Sequence, residues 1–158
     1  MRGGTNLKTY LSLILYLLLV SIGLAYGADA TEAKISSPLN ESVVSRVVDV
    51  EIASKDIPAG QDLWICVYPL DVKRYYFLDK RYSPLLRTIR GNLSTQALVG
   101  TDLDSDQEFE LLTVVADRNA IVAIMEYLDR SNEMGDWPGL ERLPNGSEIY
   151  DTIKVTRK

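Results

Sequence analysis

The chain has 158 residues, 17 Lys+Arg, 22 Asp+Glu and no His, for a formal net charge of −5. That acidic balance speaks against nucleic acid as a partner, which asks for a basic face. The absence of His rules out Ser-His-Asp and Cys-His catalysis; a single cysteine, Cys66, allows no internal disulfide, and one Cys with no His speaks against zinc.

The first 30 residues read as a separate segment. Arg2 and Lys8 precede an uncharged run from Thr9 to Ala28, which is most apolar from Leu11 to Leu24. Small residues follow at Ala25, Gly27, Ala28 and Ala30. This is the layout of a secretory signal peptide, cleaved after Ala30 in an A-x-A site or, as a second option, after Gly27. The uncharged run is also close to the ~20 residues that span a bilayer. The alternative is therefore an uncleaved signal anchor through residues 9–28. Either way residues 31–158 face outward, because the positive charges precede the run and Asp29 and Glu32 follow it. The expected address is secreted or cell surface; the alternative is a single-pass membrane protein with its C-terminal domain outside. Removing residues 1–30 takes away Arg2, Lys8 and Asp29 and leaves a domain with net charge −6.

Within 31–158, Lys34–Ser36 reads as a short strand stopped by Pro38. Val47–Ile52 alternates, with Val48, Val50 and Ile52 on one face and Asp49 and Glu51 on the other, as in a half-buried strand. A turn at Ile57-Pro58-Ala59-Gly60 leads to Leu63–Tyr68, a strand apolar on both faces and so covered on both sides. Arg74–Leu78 is its expected partner. Leu86–Arg90 and Thr95–Val99 read as weaker strands around a Gly91-Asn92 turn. Phe109–Ala116 is again apolar on both faces. The period then changes to helical over Arg118–Arg130, with Asp117 as N-cap and Ile121, Met125 and Leu128 toward the sheet. A Gly- and Pro-rich loop follows, and Glu148–Thr156 closes the fold with Ile149, Ile153 and Val155 inward.

Short strands separated by turn signals predict a mainly β domain over 31–158. The expected architecture is an antiparallel, immunoglobulin-like β-sandwich with one α-helix before the last strand. The stretches ISSP (35–38), LWICVYP (63–69), KRYYF (73–77), GLERLP (139–144) and VTR (155–157) resemble an uncharacterised immunoglobulin-like β-sandwich module of exported archaeal and bacterial proteins. The resemblance covers about residues 35–158. It implies an accessory or interaction domain and brings no catalytic residues with it.

Few residues carry chemistry. Asp102, Asp104 and Asp106 alternate as calcium ligands do, but Gln107 and Thr113 stand where a helix–loop–helix calcium loop needs Gly and Glu. A looser calcium site there is weighed against a solvated turn. Asn40, Asn92 and Asn145 head N-x-S/T sequons, which suits an exported glycoprotein; the same residues also gather in turns. Arg74 and Tyr76 share one face of the 74–78 strand, and Trp137 lies in the Gly/Pro loop. Exposed aromatics beside charges hold sugars or partner proteins, so these three are the candidate binding residues, and otherwise the rim of a core. No cofactor is expected.

The leading expectation is an exported, non-catalytic domain that binds a protein or glycan at the cell surface or outside. The alternative is a membrane-tethered structural component of an envelope or surface layer. The third is a small carboxylate-based hydrolase, for which a 128-residue domain without long insertions offers little cleft between carboxyls ~5–10 Å apart.

Overall fold

Among the described residues, eight strands rich in apolar residues build two sheets, and one helix covers the outer face of one of them. The computed structural model describes residues 30–78 and 90–158. The segment expected to be a signal peptide or anchor lies outside these except for Ala30, as does the strand expected over 86–90 except for Arg90. The strands are β1 (Glu32–Ser37), β2 (Ser42–Val44), β3 (Val47–Lys55), β4 (Asp62–Pro69), β5 (Tyr76–Phe77), β6 (Arg90–Leu98), β7 (Glu108–Ala116) and β8 (Ser147–Arg157). The helix, α1, spans Arg118–Met134. A three-stranded sheet has the order β1-β3-β6, and a five-stranded sheet has the order β2-β8-β7-β4-β5. All pairings are antiparallel except β2 with β8, which is parallel. The expectation of a purely antiparallel fold is corrected accordingly. Among the described residues no helix is long and apolar enough to cross a membrane.

The two sheets share one core. Val50 and Ile52 of β3, Ile65 and Val67 of β4, Phe109 and Leu111 of β7, and Val155 of β8 meet there, each at most 3% exposed. Burying side chains of this size stabilises by roughly 1.5–3 kcal/mol each. The other faces of β4 and β7 carry Trp64, Cys66, Leu112 and Val114, and α1 covers them. This is why both strands read as apolar on two sides.

Helix α1 starts where expected. The Asp117 carboxylate accepts from the backbone N–H groups of Asn119 and Ala120, both at 2.9 Å. It ends at Gly135, whose left-handed φ of 67° suits glycine at this position. The buried stripe is Ala120, Ile124, Tyr127, Leu128 and Ser131, with Ile121 and Met125 half-buried at its margin.

Three local expectations change. Gly91 and Asn92 form no turn: they sit inside β6, opposite Ser54 and Ala53, with the nine-residue β3 as a straight template. The partner strand of β4 shrinks to Tyr76–Phe77. Ile149 points outward at 41% exposure, because the β7–β8 register shifts between Thr113 and Val114 and Tyr150 packs on the core instead.

The free edge of β1 is held by side chains rather than by a strand. The Thr113 hydroxyl donates to the Ala33 carbonyl at 2.5 Å. The Asp151 carboxylate accepts from the Ile35 N–H at 2.8 Å. Thr113 and Asp151 are themselves register partners across β7 and β8.

Candidate functional site

The chain reverses after β4, with Lys73 at φ 56° donating its N–H to the Pro69 carbonyl at 2.9 Å. It then enters β5, which would be an open sheet edge. The loop after α1 returns to that edge. Tyr75 N–H donates to the Leu140 carbonyl at 2.8 Å, and Leu140 N–H donates to the Tyr75 carbonyl at 2.9 Å. The loop can approach so closely because residue 139 is glycine. A Cβ there would lie 2.8 Å from both Arg74 Cβ and Tyr76 Cζ, and its φ is +66°.

This return sets the loop that carries Trp137 against Arg74 and Tyr76 through Gly139. Arg74 donates through Nη2 to Glu141 Oε1 at 3.0 Å and through Nη1 to the Gly139 carbonyl at 3.4 Å. The Tyr76 ring lies against Gly139. Trp137, 39% exposed, meets Tyr127 edge-on with centroids 6.3 Å apart.

The orientation of Tyr76 is a correction. It does not face outward with Arg74 but is half-buried against the core between the sheets. Register decides this, since residues directly opposite in a pair share a face. Tyr76 pairs with Val67, which points between the sheets, and Phe77 pairs with Cys66, which points toward the helix. Tyr75 therefore falls on the helix side and packs on Tyr68, with centroids 4.7 Å apart. Burial raises the hydroxyl pKa of both Tyr75 and Tyr76, and the nearby Arg74 charge offsets part of the rise at Tyr76.

Beside the loop lies a cleft of about 330 Å³, bounded by the last turns of α1 and by residues 136–141. Its polar lining is Arg74, Tyr127, Arg130, Ser131, Asp136 and Glu141. Tyr127 is only 8% exposed, and its hydroxyl is hydrogen-bonded to Ser131 and the Gly139 backbone. Burial pushes that hydroxyl up to about 12, with Ser131 and Gly139 acting in the opposite direction. Sequence reading missed Tyr127, Arg130 and Ser131. The available signal was a tyrosine and a serine four residues apart in the otherwise apolar stripe of α1.

The 101–107 loop is used internally. Asp102 pairs with Arg46 at 2.9 Å. Asp104 accepts from the Thr101 N–H at 2.5 Å, which holds its carboxyl below the usual range. Asp106, at φ 64°, donates its N–H to the Arg157 carbonyl at 2.9 Å. Among the described residues, no three Asp, Glu, Cys or His side chains gather where they could share a metal ion.

The sequon asparagines Asn40, Asn92 and Asn145 are all exposed. The Asn40 side-chain oxygen accepts from the Lys154 N–H at 2.8 Å. Cys66 is fully buried and its thiol pKa is raised by desolvation, as for a core residue.

No protein-family model matches this chain, and no curated protein matches it.

Proposed function

We propose that residues 31–158 form an exported, non-catalytic binding domain with immunoglobulin-like sandwich architecture, related to the module its strand and turn motifs resemble. Its partner, a protein or a glycan at the cell surface or outside, docks on the rim where β5, the 135–141 loop and the end of α1 meet. One observation carries this reading: the Tyr75–Leu140 bridge brings the loop with the half-exposed Trp137 against β5, next to Arg74 and a polar-lined cleft. A rigid aromatic next to convergent hydrogen-bonding groups is the usual composition of a recognition patch. Export rests on the first 30 residues, with their positive start, uncharged run and small-residue close.

The test is retention of the full chain on the isolated cell-surface fraction of the source cells. Trp137→Ala weakens retention and leaves the unfolding midpoint in place; equal retention of both proteins defeats the proposal.

The uncharged run from Thr9 to Ala28 favours a second reading, a tethered envelope component. Intact mass separates the two. A product in the medium that begins at Ala28 or Thr31 identifies a secreted domain. An uncut chain in the membrane fraction identifies a tethered one. Added hexose mass in the same spectrum reports use of Asn40, Asn92 or Asn145.

A further inference from the structure

We infer that Asn92 is the residue on which this domain carries an N-linked glycan, and that the folded chain withholds Asn40 and Asn145 from that modification. The inference rests on the export reading above, and it singles out one site among three sequence motifs.

The first argument is access to both groups that the reaction uses. A glycan transferase takes the Asn amide nitrogen as acceptor and reads the hydroxyl two residues further on. In Asn92-Leu93-Ser94 the two side chains fall on the same face of β6, because residues i and i+2 of a strand point alike. That face is the outer one. Asn92, Ser94 and Gln96 are exposed, whereas Leu93, Thr95 and Ala97 turn toward the core.

The second argument is that the fold closes the other two sequons. Asn40 Oδ1 accepts from the Lys154 N–H at 2.8 Å, and the Ser42 hydroxyl donates to the Leu39 carbonyl at 2.5 Å. Between them the Glu41 N–H donates to the Lys154 carbonyl at 2.6 Å, which pins this turn to β8. At the third sequon Asn145 is exposed, but the Ser147 hydroxyl has no accessible surface. Gly146 between them packs on the Asp117 carboxylate, and its carbonyl accepts from the Asp117 N–H at 2.9 Å. That turn cannot open without loosening the cap of α1.

The third argument is room. Asn92 stands opposite Ala53 of β3, and Ala53 stands opposite Lys34 of β1. The side chain facing Asn92 across the pair is therefore a single methyl group, over which a first sugar ring fits. The glycan lies on the three-stranded sheet, whereas β5 and the proposed docking rim belong to the five-stranded one.

The donor is a lipid-phosphate-linked oligosaccharide. Asn92 Nδ2 bonds to its anomeric carbon, the bond from that carbon to the phosphate oxygen breaks, and the lipid phosphate leaves with the electron pair. One amide N–H is exchanged for the N–C bond, and its proton ends on the released phosphate or in solvent.

The experiment is peptide mapping by mass spectrometry of the chain isolated from its source cells, as the unaltered protein and as Asn92→Gln, Ser94→Ala and Ser94→Thr. The expected result is a sugar-bearing peptide that spans Asn92, with the peptides that span Asn40 and Asn145 at bare mass. Asn92→Gln and Ser94→Ala each abolish the added mass, and Ser94→Thr keeps it. Both positions are exposed on the outer face, so the variants keep the unfolding midpoint.

A bare Asn92 overturns the inference. So does glycan at Asn40 or Asn145 in amounts equal to that at Asn92, which would mean that the chain is modified before it folds. The N-terminal peptide in the same map keeps this inference and the export reading apart. A bare Asn92 on a chain that begins at Ala28 or Thr31 defeats the glycan site and leaves export standing. A bare Asn92 on an uncut chain in the soluble cell fraction defeats both.

Discussion

Tyr75 and Leu140 exchange both of their backbone hydrogen bonds, at 2.8 and 2.9 Å. This pairing covers the edge that the two-residue β5 would otherwise leave open. It also fixes where the 135–141 loop lies, and with it the positions of Trp137, Gly139 and Glu141. Fold and site therefore depend on the same two residues.

Gly139→Ala tests that dependence. The new Cβ would lie 2.8 Å from Arg74 Cβ and Tyr76 Cζ in a left-handed backbone. Displacing the loop lengthens the Arg74–Glu141 pair and moves Trp137 off Tyr127. The expected cost is about 1–3 kcal/mol in urea unfolding, with a larger fractional loss of partner retention than of stability.

Thr113→Val removes the hydroxyl that serves the Ala33 carbonyl in β1 and keeps the side-chain volume. Thr113 is fully buried, so the carbonyl is left without its partner. The expected loss is about 1–3 kcal/mol. Faster hydrogen exchange in β1, ahead of global unfolding, should accompany it. An unchanged midpoint would mean that the neighbouring Asp151–Ile35 bond suffices to hold that edge.

Gly146 and Asp117 should prove coupled. A Cβ on residue 146 would lie 2.2 Å from Asp117 Oδ1, and the Asp117 N–H donates to the Gly146 carbonyl at 2.9 Å. Asp117→Ala removes the helix cap and is expected to cost about 0.5–2 kcal/mol. Gly146→Ala is expected to cost more, because it adds the clash to a backbone at φ +88°. In the double variant the clash is gone, so the two losses sum to more than the loss measured.

Stability should fall at alkaline pH. The Tyr127 hydroxyl sits at about 12 in the folded chain against 10 for an ordinary tyrosine. Between those values the native state keeps a proton that the unfolded chain has released. Its contribution is complete below pH 10 and is lost as the pH rises toward 12. Burial shifts Tyr75, Tyr76 and the Cys66 thiol in the same direction. Urea midpoints followed upward from neutral pH should show this decline, and Tyr127→Phe should flatten it.

The sequence revealed what local periodicity controls. Strands β4, β7 and β8, the helix and its Asp117 cap fall within a few residues of their expected bounds, because each carries a clean two- or 3.6-residue apolar repeat. Where a longer-range partner decides, reading failed. Gly91-Asn92 looks like a turn until β3 supplies a straight template. Ile149 alternates correctly until the register shift in the β7–β8 pair reverses it. Tyr76 faces inward because its opposite residue is Val67, which no local pattern reveals. The cleft was hidden for the same reason: Arg74, Tyr127 and Asp136 meet only because the loop returns to β5.

Amide hydrogen exchange of the full chain, free and bound to the isolated cell-surface fraction, addresses the docking rim most directly. The account predicts added protection in Trp137–Glu141 and in the last turn of α1, with no change on the outer face of the three-stranded sheet around Asp49, Glu51 and Gln96. Protection mapped to that outer face, or no protection anywhere on the bound chain, would contradict it.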